Sequence, residues 1–252
     1  MDKFWNDLAE VFASDRYLEE FLTGTWESLY STVIATVVAF LLGLALAVLL
    51  VAGERSGVRP LPGPLMKVVN ILINILRSVP FLILMLFVTP LSLILLGTQI
   101  GTVASIPPLV VAAAPFVARL VETSLREVDP GVIEAAQAMG CTPFQIIRKV
   151  ILPECLPSLI SCFTTAFITI LGYGAMAGAI GGGGLGKIAI NYGYHRYNLA
   201  VCLVATVLIV ILVQIAQAIG SYLSARVDHQ GKTRKVRYRV RLNDPARREE
   251  TT

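Results

Sequence analysis

Residues 28–53 read SLYSTVIATVVAFLLGLALAVLLVAG, a run without a single Asp, Glu, Lys or Arg. A helix of that length reaches about 39 Å at about 1.5 Å per residue, more than the roughly 30 Å hydrocarbon core of a bilayer. Within the run, Ser31, Ala35, Ala39, Gly43 and Ala47 place a small side chain at every fourth position, while Leu and Val cover the remaining surface. Helices in lipid associate by close backbone approach, so this ladder predicts a membrane span with one packing face.

Three further stretches lack charge: 78–118, 155–186 and 197–225. The first of these is long enough for two spans, and turn signals interrupt it at Gly97-Thr98-Gln99-Ile100-Gly101 and at Ile106-Pro107-Pro108. Five spans are expected, near 29–51, 68–96, 104–124, 155–180 and 198–224. The second holds Pro80 and Pro90 and is expected to be kinked or broken. The fold class is therefore an all-α membrane protein of five transmembrane helices. Composition agrees: 55% of residues are hydrophobic, 15% are charged and the mean hydropathy is +0.71, which excludes an ordinary water-soluble enzyme.

The basic residues choose an orientation. With the N-terminus outside, the inner segments 52–67, 125–153 and 225–252 hold 15 Lys and Arg, and the outer segments hold 4. The expected arrangement is N-out, C-in. Residues 1–28 carry seven acids and only Lys3 and Arg16, with no apolar core ahead of Leu29, unlike a cleaved signal peptide. Their apolar positions, from Phe4 and Trp5 to Trp26, recur at helical spacing, so an outer amphipathic segment lying on the leaflet is expected. The organisation is thus an outer segment 1–28, a transmembrane domain 29–224 and a basic cytoplasmic tail 225–252.

Several candidates for chemistry do not add up to a site. Cys141, Cys155, Cys162 and Cys202 lack metal or disulfide spacing and read as packing residues. His195 and His229 stand apart from each other and from any acid cluster. Residues 181–187, Gly-Gly-Gly-Gly-Leu-Gly-Lys, match GxGxxG and most of a phosphate loop. However, Ile188 stands where a magnesium-binding Ser or Thr belongs, and no strand precedes the cluster. A flexible turn leaving the fourth span is expected there instead, and no cofactor or metal is expected. Arg119 and Glu122 sit one turn apart and should form a structural ion pair. Arg77, just before the expected break at Pro80, and Tyr173 and Met176, within the small-residue run of span four, are candidates for the translocation path or its gate.

The 125–153 segment carries the most specific signal. Asp129 can cap a helix with Pro130 at its first position and Gly140 as its terminator. Thr142, Pro143 and Gln145 form the start of a second helix with a capping box, and Pro153 marks its expected end. Glu134-Ala135-Ala136, three residues, Gly140, nine residues, then Val150-Ile151-Leu152-Pro153 resembles the EAA loop of permease subunits in bacterial ATP-binding cassette importers. The one departure is Val150, where the family pattern has Ile. Residues 77–81, 113–119, 172–176 and 192–194 are similar, in order, to methionine importer permeases.

That resemblance implies two cytoplasmic coupling helices between spans three and four, with Glu134, Ala135, Ala136, Gly140 and Pro143 facing an ATPase subunit. It also implies a homodimer, two cytoplasmic ATPase subunits that hold the nucleotide chemistry, an extracytoplasmic substrate-binding protein, and an amino-acid cargo, methionine above others. The basic tail is expected to be drawn to anionic inner-leaflet lipid, with a short strand pairing as the alternative suggested by its period of two; nucleic acid is a weaker match. An autonomous carrier would bring mid-membrane carboxylates or inverted repeats, and spans one, four and five hold no acid.

Overall fold

The computed structural model describes residues 2–54 and 58–228, so His229 and the tail from there to Thr252 lie outside the described residues. All regular elements among them are helical. Helix α1 (Asp2–Ala13) is followed by α2 (Asp15–Gly53), then by α3 (Gly63–Ser78) and α4 (Phe81–Leu96). Helix α5 (Thr102–Leu125) leads through α6 (Pro130–Ala138) and α7 (Pro143–Ile146) to α8 (Leu152–Glu154) and α9 (Leu156–Ala177). Short α10 (Gly184–Ile188) and the long α11 (Leu199–Val227) complete the chain.

Among the described residues four helices are long and apolar enough to cross a membrane: α2, α5, α9 with the 3-10 turn that follows it, and α11. The pair α3 and α4 supplies a fifth when taken as one span, bent by 111°. The break falls at Val79-Pro80, where Val79 is extended (φ −79°, ψ 128°) because the residue before a proline is pushed out of the helical region. Pro90, by contrast, stays inside α4.

The small-residue ladder is the central seam. Ser31, Ala35, Ala39, Gly43 and Ala47 are all buried, and α2 packs chiefly against α5 along them. A Cβ on Gly43 would stand 2.6 Å from Val117 Cγ1 and 3.0 Å from the Ala118 backbone nitrogen, so the two backbones approach as closely as glycine permits.

The amphipathic segment differs in extent from the expectation. Only α1 is a separate helix, ended at Ser14; residues 15–28 continue into the first span as one 39-residue helix of about 58 Å. No proline interrupts that stretch, and Gly24 serves packing rather than breakage, since a Cβ there would meet Ile188. Val11 and Phe21 are buried with Leu185, Tyr192 and Val201, which anchors α1 and the start of α2 to α10 and α11.

Candidate functional site in the coupling segment and the fourth span

Local chemistry shapes the coupling segment as expected. The Asp129 carboxylate accepts from the Gly131 N–H at 2.8 Å, with Pro130 filling the position where no donor is needed. At the other end Gly140 takes φ +79°, its N–H donating to Gln137 O at 2.9 Å while the Cys141 N–H donates to Ala136 O at 3.1 Å. These two bonds are the Schellman pattern, which consumes carbonyls that would otherwise be left at the helix end. In α7 the Thr142 N–H donates to Gln145 Oε1 at 2.8 Å and the Gln145 N–H returns to Thr142 Oγ1 at 3.4 Å.

The second helix does not stop at Pro153. After α7 the chain widens into a π-helical turn, Ile147–Ile151, and continues through α8 toward α9. The Leu152 N–H donates five residues back to Ile147 O, and the Cys155 N–H picks up the α pattern again to Ile151 O. The widened turn lets the proline ring pass the preceding carbonyls, so Pro153 sits inside a helical run.

The expected contact residues divide into two faces. Glu134, Ala135, Gly140 and Pro143 are exposed, whereas Ala136 is 2% exposed and points inward. Ala136 joins Val128, Ile146 and Ile151 in one continuous apolar cluster with Ala47 of α2, Val117, Val121 and Leu125 of α5, and Leu159 and Ala166 of α9. The outward face also presents Val132, Met139 and Phe144, the last two 77% and 67% exposed. Sequence reasoning passed over these three; apolar residues between two capped turns were the available signal.

Next to this segment a polar chain ties three helices together. Arg119 donates to Glu122 Oε2 at 2.7 Å, to Asn70 Oδ1 at 2.7 Å and to Asn74 Oδ1 at 3.1 Å. Arg126 bonds Glu122 and, with both guanidinium nitrogens, Glu54 at 2.7 and 2.8 Å. The expected Arg119–Glu122 pair is therefore one link in a longer network from α3 to the end of α2. The bidentate Arg126 contact holds the Glu54 carboxyl below the usual carboxylate range. Arg77 lies in the last turn of α3, exposed, beside a recess that it lines with Phe116, Arg119 and Thr123.

In span four, Tyr173 stacks on Phe81, the first residue after the break, with centroids 4.1 Å apart and planes 8° off parallel. Met176, one turn on, is exposed. At Gly172 no atom beyond its chain neighbours and its own helix backbone lies within 4 Å of where a Cβ would stand, so α9 leaves this side open here. Ser161, Thr165, Thr169, Gly172 and Met176 follow one another at helical spacing along that side. Thr165 donates back to Ser161 O at 2.9 Å and Thr169 to Thr165 O at 2.8 Å, which satisfies their hydroxyl hydrogens within the helix.

The glycine cluster is packed rather than loose, a correction to the flexible turn expected from composition. The Gly184 N–H donates to Glu27 Oε2 at 2.7 Å and the Leu185 N–H to Ser28 Oγ at 2.9 Å. A Cβ at Gly178 would meet the Lys187 backbone and one at Gly186 the Ala175 carbonyl, so glycine is required by close approach. The amides that a phosphate would need are thus occupied by a carboxylate and a hydroxyl of α2. Nearby, Tyr192 donates to Glu20 at 2.7 Å; burial, and then that carboxylate, push its phenol up. Cys155 is buried, in keeping with a packing role. Among the described residues no group of His, Cys, Asp and Glu is arranged to hold a metal.

Comparison with known proteins adds to this geometry. A family model described as binding-protein-dependent transport system inner membrane component matches residues 50–229. The chain is 48% identical over 226 residues to the probable D-methionine transport system permease protein MetI of Vibrio cholerae, covering 90% of this chain and 99% of that one. It is 49% identical over 162 residues to the methionine import system permease protein MetP of Bacillus subtilis, covering 64% and 73%. Among solved structures it resembles a chain of the MetNI methionine ABC transporter in an inward-facing conformation, with TM-score 0.83, 42% identity, and coverage of 86% of this chain and 100% of that chain.

Proposed function

The chain belongs to the family of binding-protein-dependent transport system inner membrane components, and from that premise we propose that it is the membrane-spanning permease subunit of an ATP-driven methionine importer. Two copies pair around a central path in the inner membrane. Two ATPase subunits dock on the cytoplasmic side, and a substrate-binding protein delivers the amino acid from outside. The excess of Lys and Arg in segments 52–67, 125–153 and 225–252 supports the N-out, C-in orientation that this arrangement needs. The names of the relatives specify D-methionine for the Vibrio protein and methionine for the Bacillus protein, so both stereoisomers belong in any assay.

One observation carries the mechanism: the apolar cluster that begins at Ala136 runs without interruption into α2, α5 and α9. The outer face of the coupling segment meets the ATPase through Glu134, Ala135 and Pro143, with Val132, Met139 and Phe144 as apolar anchors. Gly140 fixes the angle between the two coupling helices. Ala136 acts from the inner face, where it passes the displacement of α6 to the spans. Close-packed interiors shift between discrete arrangements rather than deform smoothly, so closure of the ATPase pair repacks the three spans together. The permease itself hydrolyses nothing; energy enters through the coupling segment.

The open side of α9 lines the path. Ser161, Thr165 and Thr169 offer hydroxyl oxygens, and Met176 narrows the far end, where Gly172 adds no side chain. Tyr173, held against Phe81 at the break between α3 and α4, links the gate to the bent pair, and Arg77 stands beside the same break in the last turn of α3. Glu134→Arg in the assembled transporter tests the docking reading. Membrane insertion and dimer formation are expected to be unchanged, with methionine uptake and binding-protein-stimulated ATP hydrolysis lost. Normal uptake in that variant contradicts the reading.

A further inference from the structure

The apolar cluster behind Ala136 leaves one part of the molecule unattached: among the described residues it includes none of α3 or α4. Helix α3 rests on α2 and α5 through a separate patch, where Met66 and Ile73 are buried with Leu50 and Ala118. Apolar contact of this kind is non-directional, so it holds α3 close without fixing how far α3 slides along α5. Directional, charge-assisted bonds fix that register, and the polar network supplies them.

Glu122 is the node of that network. Its side chain is 10% exposed, and its two oxygens are taken by different arginines, Oε2 by Arg119 at 2.7 Å and Oε1 by Arg126 at 2.8 Å. Arg119 reaches on to Asn70 and Asn74, which lie one turn apart on α3. The side-chain amide of Asn70 donates to Met66 O at 2.9 Å within its own helix, which leaves Oδ1 turned toward the guanidinium. At the other end Arg126 stands at the close of α5, three residues before Asp129 starts α6, and its pairing with Glu54 attaches the end of α2. That outer pair is 43% and 42% exposed, so solvent weakens it, and the shielded Arg119–Glu122 link with its two asparagine bonds is the stiffer part. From Asn74 it is seven residues to Phe81, about 10 Å at the helical rise, and Phe81 is the residue that stacks on Tyr173.

We propose that Arg119, Glu122, Asn70 and Asn74 are positioning residues that carry movement at the root of the coupling segment to α3 and, through the bend at Pro80, to Phe81 and Tyr173, so that the gate moves in step with the ATPase. This rests on the permease reading and deepens it: the apolar cluster repacks α2, α5 and α9, and the polar network brings the bent pair along with them. With the network cut, closure of the ATPase pair still repacks the cluster, but α3 slips against α5 and ATP is hydrolysed without transport.

The test uses the complete transporter in proteoliposomes, permease with its ATPase subunits and methionine-loaded binding protein, and measures ATP hydrolysed per methionine taken up. Asn70→Leu combined with Asn74→Leu removes both acceptors on α3 with little change in bulk. Binding-protein-stimulated hydrolysis is expected to persist while uptake falls, so the ratio rises several-fold. Asn70→Leu combined with Asn74→Asp returns one acceptor, a carboxylate within reach of Arg119, and is expected to bring the ratio back close to the native value. A role in packing alone does not predict that rescue, since Leu and Asp both fill the place of Asn74. Glu122→Gln, which keeps the shape of the node and replaces one acceptor oxygen by a donor, is expected to raise the ratio in the same direction. A native ratio in the double-leucine variant, hydrolysis and uptake lost in equal proportion in that variant and in Glu122→Gln, or no rescue by the aspartate would each overturn the proposal. The permease reading itself fails on a different result, the absence of ATP-driven uptake by the native chain.

Discussion

Position 140 shows how much a single dihedral angle decides. Its φ of +79° is open to glycine, and no atom beyond its two chain neighbours lies within 4 Å of where a side chain would begin. A bulky residue is therefore excluded by backbone energy rather than by collision, at a cost of about 1–2 kcal/mol for a β-branched side chain in the left-handed region. Gly140→Val is expected to insert and dimerise normally while uptake falls by tenfold or more, because the Schellman bonds loosen and α7 loses its angle to α6. Gly140→Asn, which tolerates that region, is expected to retain most of the activity. Equal loss in both variants, measured as binding-protein-stimulated ATP hydrolysis, would move the explanation from backbone to lost surface contact. Gly43 illustrates the opposite constraint, for its dihedral angles are ordinary helix and only the 2.6 Å approach to Val117 demands a hydrogen for a side chain.

At the scale of elements, what was legible in the sequence was whatever local chemistry determines. Asp129, Pro130, Thr142, Pro143 and Gln145 announce two helix starts, and the structure has α6 and α7 at those positions. The ladder from Ser31 to Ala47 names its own buried face. Features that depend on distant partners were not legible. The anchoring of Gly184 by Glu27 joins residues 157 apart, so a glycine run read alone suggests slack where there is tight packing. Passage through Pro153 depends on a π-helical turn, and no proline rule reports one. The division of the EAA motif into outward Glu134 and Ala135 and inward Ala136 follows from which side α7 and the π-helical turn occupy, again a tertiary fact.

The open side of α9 makes a prediction at this same scale. Thr169→Cys and Met176→Cys, in a variant with the four native cysteines replaced, should react with a water-soluble maleimide in the assembled transporter. Their rates should change several-fold when ATP is trapped on the ATPase subunits. Phe163→Cys, on a different side of α9 where the native ring packs edge-on against Phe40 of α2, should react slowly in both states. Rates for Thr169→Cys that do not respond to nucleotide would remove this face from the path.

For the whole molecule, charge-free runs were enough to anticipate helices α2, α5, α9 and α11, and prolines were enough to anticipate the break that bends α3 from α4 by 111°. Residues 15–28 were harder to place, since an acidic amphipathic pattern reads as a surface helix whether or not it extends a span. The larger conclusion rests on continuity: an exposed, doubly capped elbow on one end, an unbroken apolar cluster behind it, and spans that carry no nucleotide chemistry. On the mechanism we propose, a molecule built this way converts a push from another subunit into rearrangement of a path.

The most direct measurement is uptake of labelled methionine into proteoliposomes that contain the permease, its ATPase subunits and the loaded binding protein. The account predicts accumulation that requires ATP, the ATPase and the binding protein together, and that disappears in Glu134→Arg. Methionine accumulation driven by the purified permease alone, or uptake indifferent to ATP, would contradict it.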